Sequence, residues 1–347
     1  MTQKVLVTGG AGLVGSHVAE YYAKKGCRVT VLDNLMRSKL FGYNRKSVEY
    51  NWNYLKKYRN IIRVKGDVRD PRDVNRSLGS GVDIVIHAAG QPGVPSSLKN
   101  MKEDLSINAW GTLNVLECVQ KRSSHAVFIY CSTNKVYGQN VDRFAVRELK
   151  TRYVWTRAKG VSETMALDEC GHTPYGVSKC TGDFYTQEFA DLYRMRTAVF
   201  RMSCIYGPRQ FGFEDQGWVA WFMIAALKRR TITVYGDGKQ VRDLLFVEDL
   251  ITAYDRFVKS KKAHAVYNIG GGPHNTLSLQ EFLGLLEKEF QYKIKVRFKS
   301  WRPSDQKVYI SDITRIKKDL NWHPDTSVPE GLKRLLEWVK QERQLFQ

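Results

Sequence analysis

Three groups of residues in this chain have the types and spacing to do chemistry. Tyr175-Gly176-Val177-Ser178-Lys179 sets a phenol and an ammonium four positions apart. On a helix these positions share one face. A lysine cation beside a phenol stabilises the phenolate and lowers the tyrosine pKa, which suits proton abstraction from an alcohol. With 18 tyrosines in the chain, the spacing alone is common. Upstream, Cys131-Ser132-Thr133-Asn134-Lys135-Val136-Tyr137-Gly138 places a hydroxyl at the end of an apolar run. The third group is Gly9-Gly10-Ala11-Gly12-Leu13-Val14-Gly15, which satisfies both Gly-x-x-Gly-x-x-Gly and Gly-x-Gly-x-x-Gly. Glycines permit a tight turn and let backbone approach a pyrophosphate. A helix that starts there points its free N–H groups and positive dipole at the phosphates.

Residues farther along fit the same dinucleotide site. Asp33 ends the next apolar run, 18 residues past Gly15. A carboxylate there accepts hydrogen bonds from the adenosine ribose and repels a 2′-phosphate, so the expected cofactor is NAD rather than NADP. Arg37 lies nearby and weighs the other way. Asp67, after the run 61–65, is placed to bond the adenine amino group. In His87-Ala88-Ala89-Gly90 the small residues would let a cofactor lie across strand ends, and His87 itself reads as structural.

Alternating elements must position these groups. Strands are expected at 4–8, 28–33, 61–65, 83–87 and 126–131, with helices at 13–25 and 105–120. Residues 36–60 read as a loop with one helix near 46–58. Strands separated by helices imply βαβ units. The fold class is therefore α/β, a Rossmann-type doubly wound parallel sheet. A long irregular stretch, 138–174, precedes a helix at 175–192 and a strand at 196–202. Beyond 205 the elements shorten, with helices at 217–229, 248–260, 278–290 and 328–342 and a strand at 231–235. A dinucleotide-binding unit over 1–205 and a smaller C-terminal α/β unit over 206–347 follow, with some crossover of the chain.

Composition narrows the class. The 347 residues are 43% apolar and 26% charged, the mix of a globular protein. The longest apolar run, Trp218 to Leu227, is about half of what a bilayer helix needs. No leader-like segment is evident, so a cytoplasmic, membrane-free protein is expected. The six cysteines lack Cys-x-x-Cys spacing and are expected to be free thiols, without a zinc site. Lys and Arg total 55 against 35 Asp and Glu, a net charge of +20. Such a balance favours anionic partners, whether phosphate-bearing metabolites or nucleic acid. No RNA-binding motif accompanies it.

The glycine turn, Thr133, Tyr175 and Lys179, in this order, resemble the extended short-chain dehydrogenase/reductase family over nearly the whole chain. Many 4,6-dehydratases of that family carry Asp-Glu after the threonine; here Asn134 and Lys135 stand instead. Ser132–Gly138, His172–Gly176, Tyr206–Phe211, Asp215–Val219, Gly238–Asp243 and Ser304–Gln306 resemble the CDP-paratose 2-epimerases, also called CDP-tyvelose epimerases. Stretches 36–60 and 150–168 depart from that pattern.

The resemblance implies an NAD-dependent epimerase acting on a nucleoside-diphosphate hexose, with a CDP-hexose favoured and C2 oxidised transiently. Tyr175 would be the base, Thr133 would hold the reacting oxygen, and Lys179 would bond the nicotinamide ribose. Gly9, Gly12, Leu13, Val14, Asp33, Asn34, Asp67, Val68, Ala88 and Ala89 would hold the cofactor with Tyr175 and Lys179. Thr133, Asn134, Arg209, Gln210 and Gln216 would line the sugar or base pocket, and Arg242 and Arg302 would meet the diphosphate. Trp218, Trp221 and Phe222 read as core. A dimer or tetramer packed through helices 104–121 and 175–192 is implied. A UDP-hexose 4-epimerase or a reductase of the same family uses the same Tyr/Lys/Thr chemistry. A nucleic-acid-binding member without catalysis has only the net charge in its favour.

Overall fold

The apolar run Lys4–Thr8 forms strand β1, and the glycine turn carries the chain into helix α1, Leu13–Lys24. The computed structural model describes residues 2–38 and 45–346. Next come β2 (Arg28–Asp33), α2 (Arg45–Tyr54), β3 (Ile61–Lys65), α3 (Pro71–Leu78) and β4 (Ile84–His87). The loop expected at 36–60 falls partly on 39–44, outside the described residues. Helix α3 escaped the sequence reading, although Asp70 caps it by accepting from the Arg72 N–H and Pro71 fills its first turn.

The helix expected at 105–120 is broken. Here the chain runs as α4 (Val94–Lys99), α5 (Met101–Leu105), a π turn (Ser106–Trp110) and α6 (Gly111–Ser123), so the expected span holds the end of α5, the π turn and most of α6. Strand β5 (Val127–Thr133), helix α7 (Pro174–Tyr193), β6 (Thr197–Met202), α8 (Val247–Lys259) and β7 (His264–Ile269) complete this part. The sheet order is β7-β6-β5-β4-β1-β2-β3, and the pairs from β3 to β5 are parallel. That is the order of a doubly wound sheet, in which ligands sit at the carboxyl ends of the strands where the winding reverses. Leu6, Val85, Val115, Val119, Phe128 and Val199 form its buried core.

The chain divides into two compact units, each assembled from three segments. The first holds 1–136, 174–201 and 251–267. The second holds 137–173, 202–250 and 268–347. In the second, Val241–Phe246 pairs antiparallel with Thr276–Ser278 and parallel with Val308–Tyr309 and Cys204–Tyr206. A parallel pair joins Ile232–Tyr235 to Val296–Lys299. The stretch 138–174 is not wholly irregular, since Val146–Glu148 and Tyr153–Trp155 form an antiparallel hairpin. Phe222 lies in the core, and the Trp218 ring packs edge-on against Phe222 and Phe282. All six cysteines are free thiols, as expected. Among the described residues, no helix is long and apolar enough to cross a membrane.

Candidate active site

The glycine turn is built so that nothing larger fits. Gly9 has φ +71°, and a Cβ there would lie 2.6 Å from the Ala89 nitrogen. A Cβ on Gly15 would meet the Gly9 carbonyl oxygen at 2.3 Å. Gly12 caps α1 without a side chain, so the first-turn N–H groups are not closed off by a capping side chain. The Asp33 carboxylate stands beside this turn and accepts from the backbone N–H of Ala11 (2.9 Å) and Leu35 (2.8 Å). Desolvation pushes its carboxyl up, opposed by those N–H groups and by Arg37. A glycine turn at a helix start, a carboxylate on the next strand end and the small residues Ala88 and Ala89 together fit a dinucleotide.

Asp67 is already well engaged. It accepts from Asn34 Nδ2 (2.8 Å) and from the Arg69 backbone and guanidinium (2.7–2.9 Å). Burial raises its carboxyl, but these hydrogen bonds outweigh that and hold it below the ordinary range. Val68, the next residue, is buried in the core of the first unit. His87 is fully buried, with Nδ1 2.7 Å from Thr8 Oγ1 and Nε2 3.0 Å from Thr112 Oγ1. Burial pushes its imidazole down to about 3, with Lys179 adding to the effect, so it is a neutral structural group.

Helix α7 and strand β5 bring Thr133, Tyr175 and Lys179 together within the first unit. Pro174 starts the helix, and the Tyr175 N–H donates to Ser97 Oγ at 3.1 Å. A Cβ on Gly182 would touch Tyr130 Oη at 2.3 Å, so glycine lets α7 press onto β5. Lys179 Nζ is buried; it donates to the Cys131 carbonyl at 2.6 Å and lies 4.2 Å from the Tyr130 ring centre. Burial lowers its pKa to about 8, while Cys131, Asp183 and Asp104 hold it up. The Tyr175 phenol is hydrogen-bonded to Thr133.

The tyrosine differs from the expectation of a lysine-acidified phenol. Burial pushes it up to about 12; Thr133 opposes this and Asp104 adds to it. The reason is geometric, since Lys179 gives a hydrogen to a backbone carbonyl. Asn134 is buried beside Thr133, whose Oγ1 donates to Asn134 Oδ1 at 3.3 Å.

The other candidates lie in the second unit. Arg209 is buried with φ +65°, a left-handed conformation that costs a non-glycine residue about 1–3 kcal/mol. Gln210 donates to the Ile205 carbonyl at 3.1 Å, and its buried Oε1 has no partner among the described residues. Gln216 closes a tight bridge with Phe213. Arg242 pairs with Asp305 at 2.5 Å. Arg302 pairs with Asp215 at 2.7 Å and lies 3.9 Å from the Tyr235 ring centre. The unassigned polar residues Asp104, Asn108 and Gln91 form a buried cluster behind Ser178. Their one sequence signal is the spacing of four between Asp104 and Asn108. Among the described residues, no group of three or more His, Cys, Asp or Glu could hold a metal ion.

Known proteins share this chain's sequence pattern and fold. CDP-paratose 2-epimerase of Salmonella typhi is 37% identical, covering 97% of this chain and 99% of its own. The epimerase Mth375 of Methanothermobacter thermautotrophicus superposes with TM-score 0.84 at 28% identity, covering 99% of this chain and 94% of its own. UDP-glucuronic acid 4-epimerase of Bacillus cereus, solved with UDP-glucuronic acid and NAD, superposes with TM-score 0.81 at 25% identity, covering 98% and 99%. The family model described as NAD dependent epimerase/dehydratase matches residues 5–270, and the chain belongs to that family of NAD-dependent nucleotide-sugar enzymes.

Proposed function

We propose that this chain inverts C2 of a CDP-hexose of the paratose/tyvelose type. The observation that carries the reading is the grouping of Thr133, Tyr175 and Lys179 on β5 and α7, in a chain 37% identical to a CDP-paratose 2-epimerase. Tyr175 as phenolate takes the proton of the 2-hydroxyl, and Thr133 holds the reacting oxygen. Lys179 holds the nicotinamide ribose and supplies positive charge. When bound, NAD⁺ supplies a hydride acceptor and donor and a positive ring. The C2 ketone then presents its opposite face and is reduced, with Tyr175 returning the proton. Orientation supplies much of the rate. Asn134 and Lys135 lack the acid of the 4,6-dehydratases, so no 4-keto-6-deoxy sugar accumulates.

Gly9, Gly12, Leu13, Val14, Asp33, Asn34, Asp67, Val68, Ala88 and Ala89 are assigned to the cofactor. In the second unit, Arg242 and Arg302 are assigned to the diphosphate, and Arg209, Gln210 and Gln216 to the sugar or base. Guanidinium groups suit phosphate geometry, and each has donors beyond its present carboxylate. The assembly is assigned as a homodimer or a pair of dimers. Leu105, Trp110, Phe184 and Leu192 are 51–61% exposed on the α5–α6 segment and on α7, an apolar face that association would cover. Sedimentation of the wild type against a Trp110→Glu/Phe184→Glu variant tests this; a monomeric wild type overturns it.

The decisive experiment incubates the protein with CDP-, UDP- and GDP-hexoses and finds the inverted carbon by NMR. With CDP-hexose deuterated at C2, the label should be retained at C2 of the product. Inversion at C4 of a UDP-hexose would establish the second reading, which the UDP-sugar-bound relative of the same fold favours. The roles of Thr133, Tyr175 and Lys179 would then be unchanged.

A further inference from the structure

Behind the Tyr175/Lys179 face lies a buried carboxylate that the proposed chemistry does not use. Asp104, on α5, is 1% exposed. Its Oδ2 accepts from Ser178 Oγ at 2.5 Å. Its Oδ1 accepts from Gln91 Nε2 at 3.0 Å and Asn108 Nδ2 at 3.1 Å. The π turn after α5 carries Asn108, which is fully buried, and such turns recur at functional sites. Ser178 sits between Tyr175 and Lys179 on α7, and its Oγ lies 3.1 Å from the Tyr175 carbonyl oxygen. All three donors are neutral. Among the described residues, no Lys, Arg or His pairs with Asp104.

Asp183, on the same helix α7, is the contrast. It is fully buried, but Arg201 reaches it at 2.9 and 3.2 Å, with Ser132 at 2.8 Å, so its charge is paired with a cation. An asparagine at 104 would keep similar shape and two polar atoms without burying a charge. Neutral hydrogen bonds hold a buried carboxylate but leave its field in place, and in a low-dielectric interior that field reaches neighbouring titratable groups.

We propose that Asp104 is a positioning residue for the active site: an ionised carboxylate, fixed by Gln91, Asn108 and Ser178, whose uncompensated charge keeps Lys179 cationic. Cys131 and Asp183 also raise Lys179, but each differs from Asp104 in its own surroundings. Burial keeps the Tyr130 phenol and the Cys131 thiol of β5 protonated, and His87 of β4 neutral. Glu103, beside Asp104 on α5, pairs with Arg69 at 3.1 Å. Asp183 of α7 pairs with Arg201 of β6.

The sign of the effect is definite. The charge of Asp104 raises the pKa of Lys179 and also that of Tyr175. Removing it lowers both. With Tyr175 at about 12 and Lys179 at about 8, the phenolate–ammonium pair gives an acid limb that breaks where Lys179 titrates and an alkaline limb that breaks where Tyr175 does, so both limbs follow these groups down. Asp104→Asn should therefore carry the whole bell to lower pH by about one unit. Asp104→Glu should leave it near the wild-type position whatever its height.

The rate profile rests on the epimerase reading, so a second measurement stands apart from it. With ¹³C-labelled tyrosine, the Tyr175 resonance is identified by its absence from Tyr175→Phe, and its titration needs no sugar. It should also move to lower pH in Asp104→Asn. A loss of thermal stability with the Tyr175 titration unmoved assigns Asp104 to structure alone and overturns the proposal. If Asp104→Asn does not fold, ¹³C NMR of the wild-type aspartates decides. A protonated Asp104 at pH 7 overturns the proposal, and an ionised one supports it.

Discussion

The two units hold their candidate site residues by opposite means. In the first, the proposed cofactor cradle is mostly backbone: glycines at 9, 12 and 15 and the open end of α1, with the Asp33 carboxylate beside them. Its shape is set before any ligand arrives. In the second, Arg242 and Arg302 are each held by a carboxylate, Asp305 and Asp215, 63 and 87 positions away in sequence. Their charge is partly spent on these carboxylates, which any diphosphate proposed to bind here would have to share. A preformed backbone site gains affinity because little must be ordered on binding. A site of paired arginines must exchange or share partners, so it binds more weakly and its affinity responds to salt.

Five substitutions test that contrast. The largest effect is expected at the base. Tyr175→Phe should lower turnover by about 10²–10⁴, the usual contribution of a positioned general acid/base. NAD content, measured on the denatured protein, should be unchanged. Loss of NAD together with activity would mean that the phenol holds the cradle as well as the proton. Next, Arg242→Ala or Arg302→Ala should raise KM about 10–100-fold, the range of a lost charge-assisted hydrogen bond of about 1.5–3 kcal/mol. Here kcat and NAD content should hardly move. An unchanged KM would remove that arginine from the substrate site.

Gly15→Ala acts on the other side of the contrast. Its Cβ would press on the Gly9 carbonyl, and overpacking costs about 1–3 kcal/mol, so NAD retention should weaken by about tenfold. Dialysis followed by assay of bound cofactor checks this. The smallest effect concerns His87. Its folded pKa is about 3, below the ordinary value of 6.5. The unfolded chain therefore takes up this proton first as pH falls, and stability is lost between about pH 6.5 and 3. The slope is about 1.4 kcal/mol per pH unit. In His87→Gln the fall of thermal stability on acidification should be shallower than in wild type.

Legibility in the sequence follows the same divide. Strand 4–8 read directly as a short buried apolar run, and 28–33 and 61–65 read from clustered Val, Ile and Leu between polar residues, although 61–65, at the sheet edge, is only partly buried. Helix 174–193 was also legible, within a residue at each end. The hairpin at 146–155 was not, nor were the strands Thr276–Ser278 and Val308–Tyr309. Two- and three-residue strands show no period and form because a partner strand from elsewhere in the chain completes their hydrogen bonds. The π turn at 106–110 hid inside a helical pattern, since one extra residue per turn barely disturbs apolar spacing.

By itself, the sequence determined what local chemistry can determine: a glycine turn between a strand and a helix, an acid on the next strand end, and a tyrosine and a lysine one helical turn apart. Those features need only neighbours along the chain. Tertiary structure alone decided which charges survive. Asp183 and Asp104 are both buried aspartates near Lys179, and nothing in their sequence surroundings separates them. Folding brings Arg201 to the first and only neutral donors to the second, because ion pairing depends on distances between side chains from different elements. The same holds for Tyr175, whose pKa is pushed up by burial among residues far away in the chain.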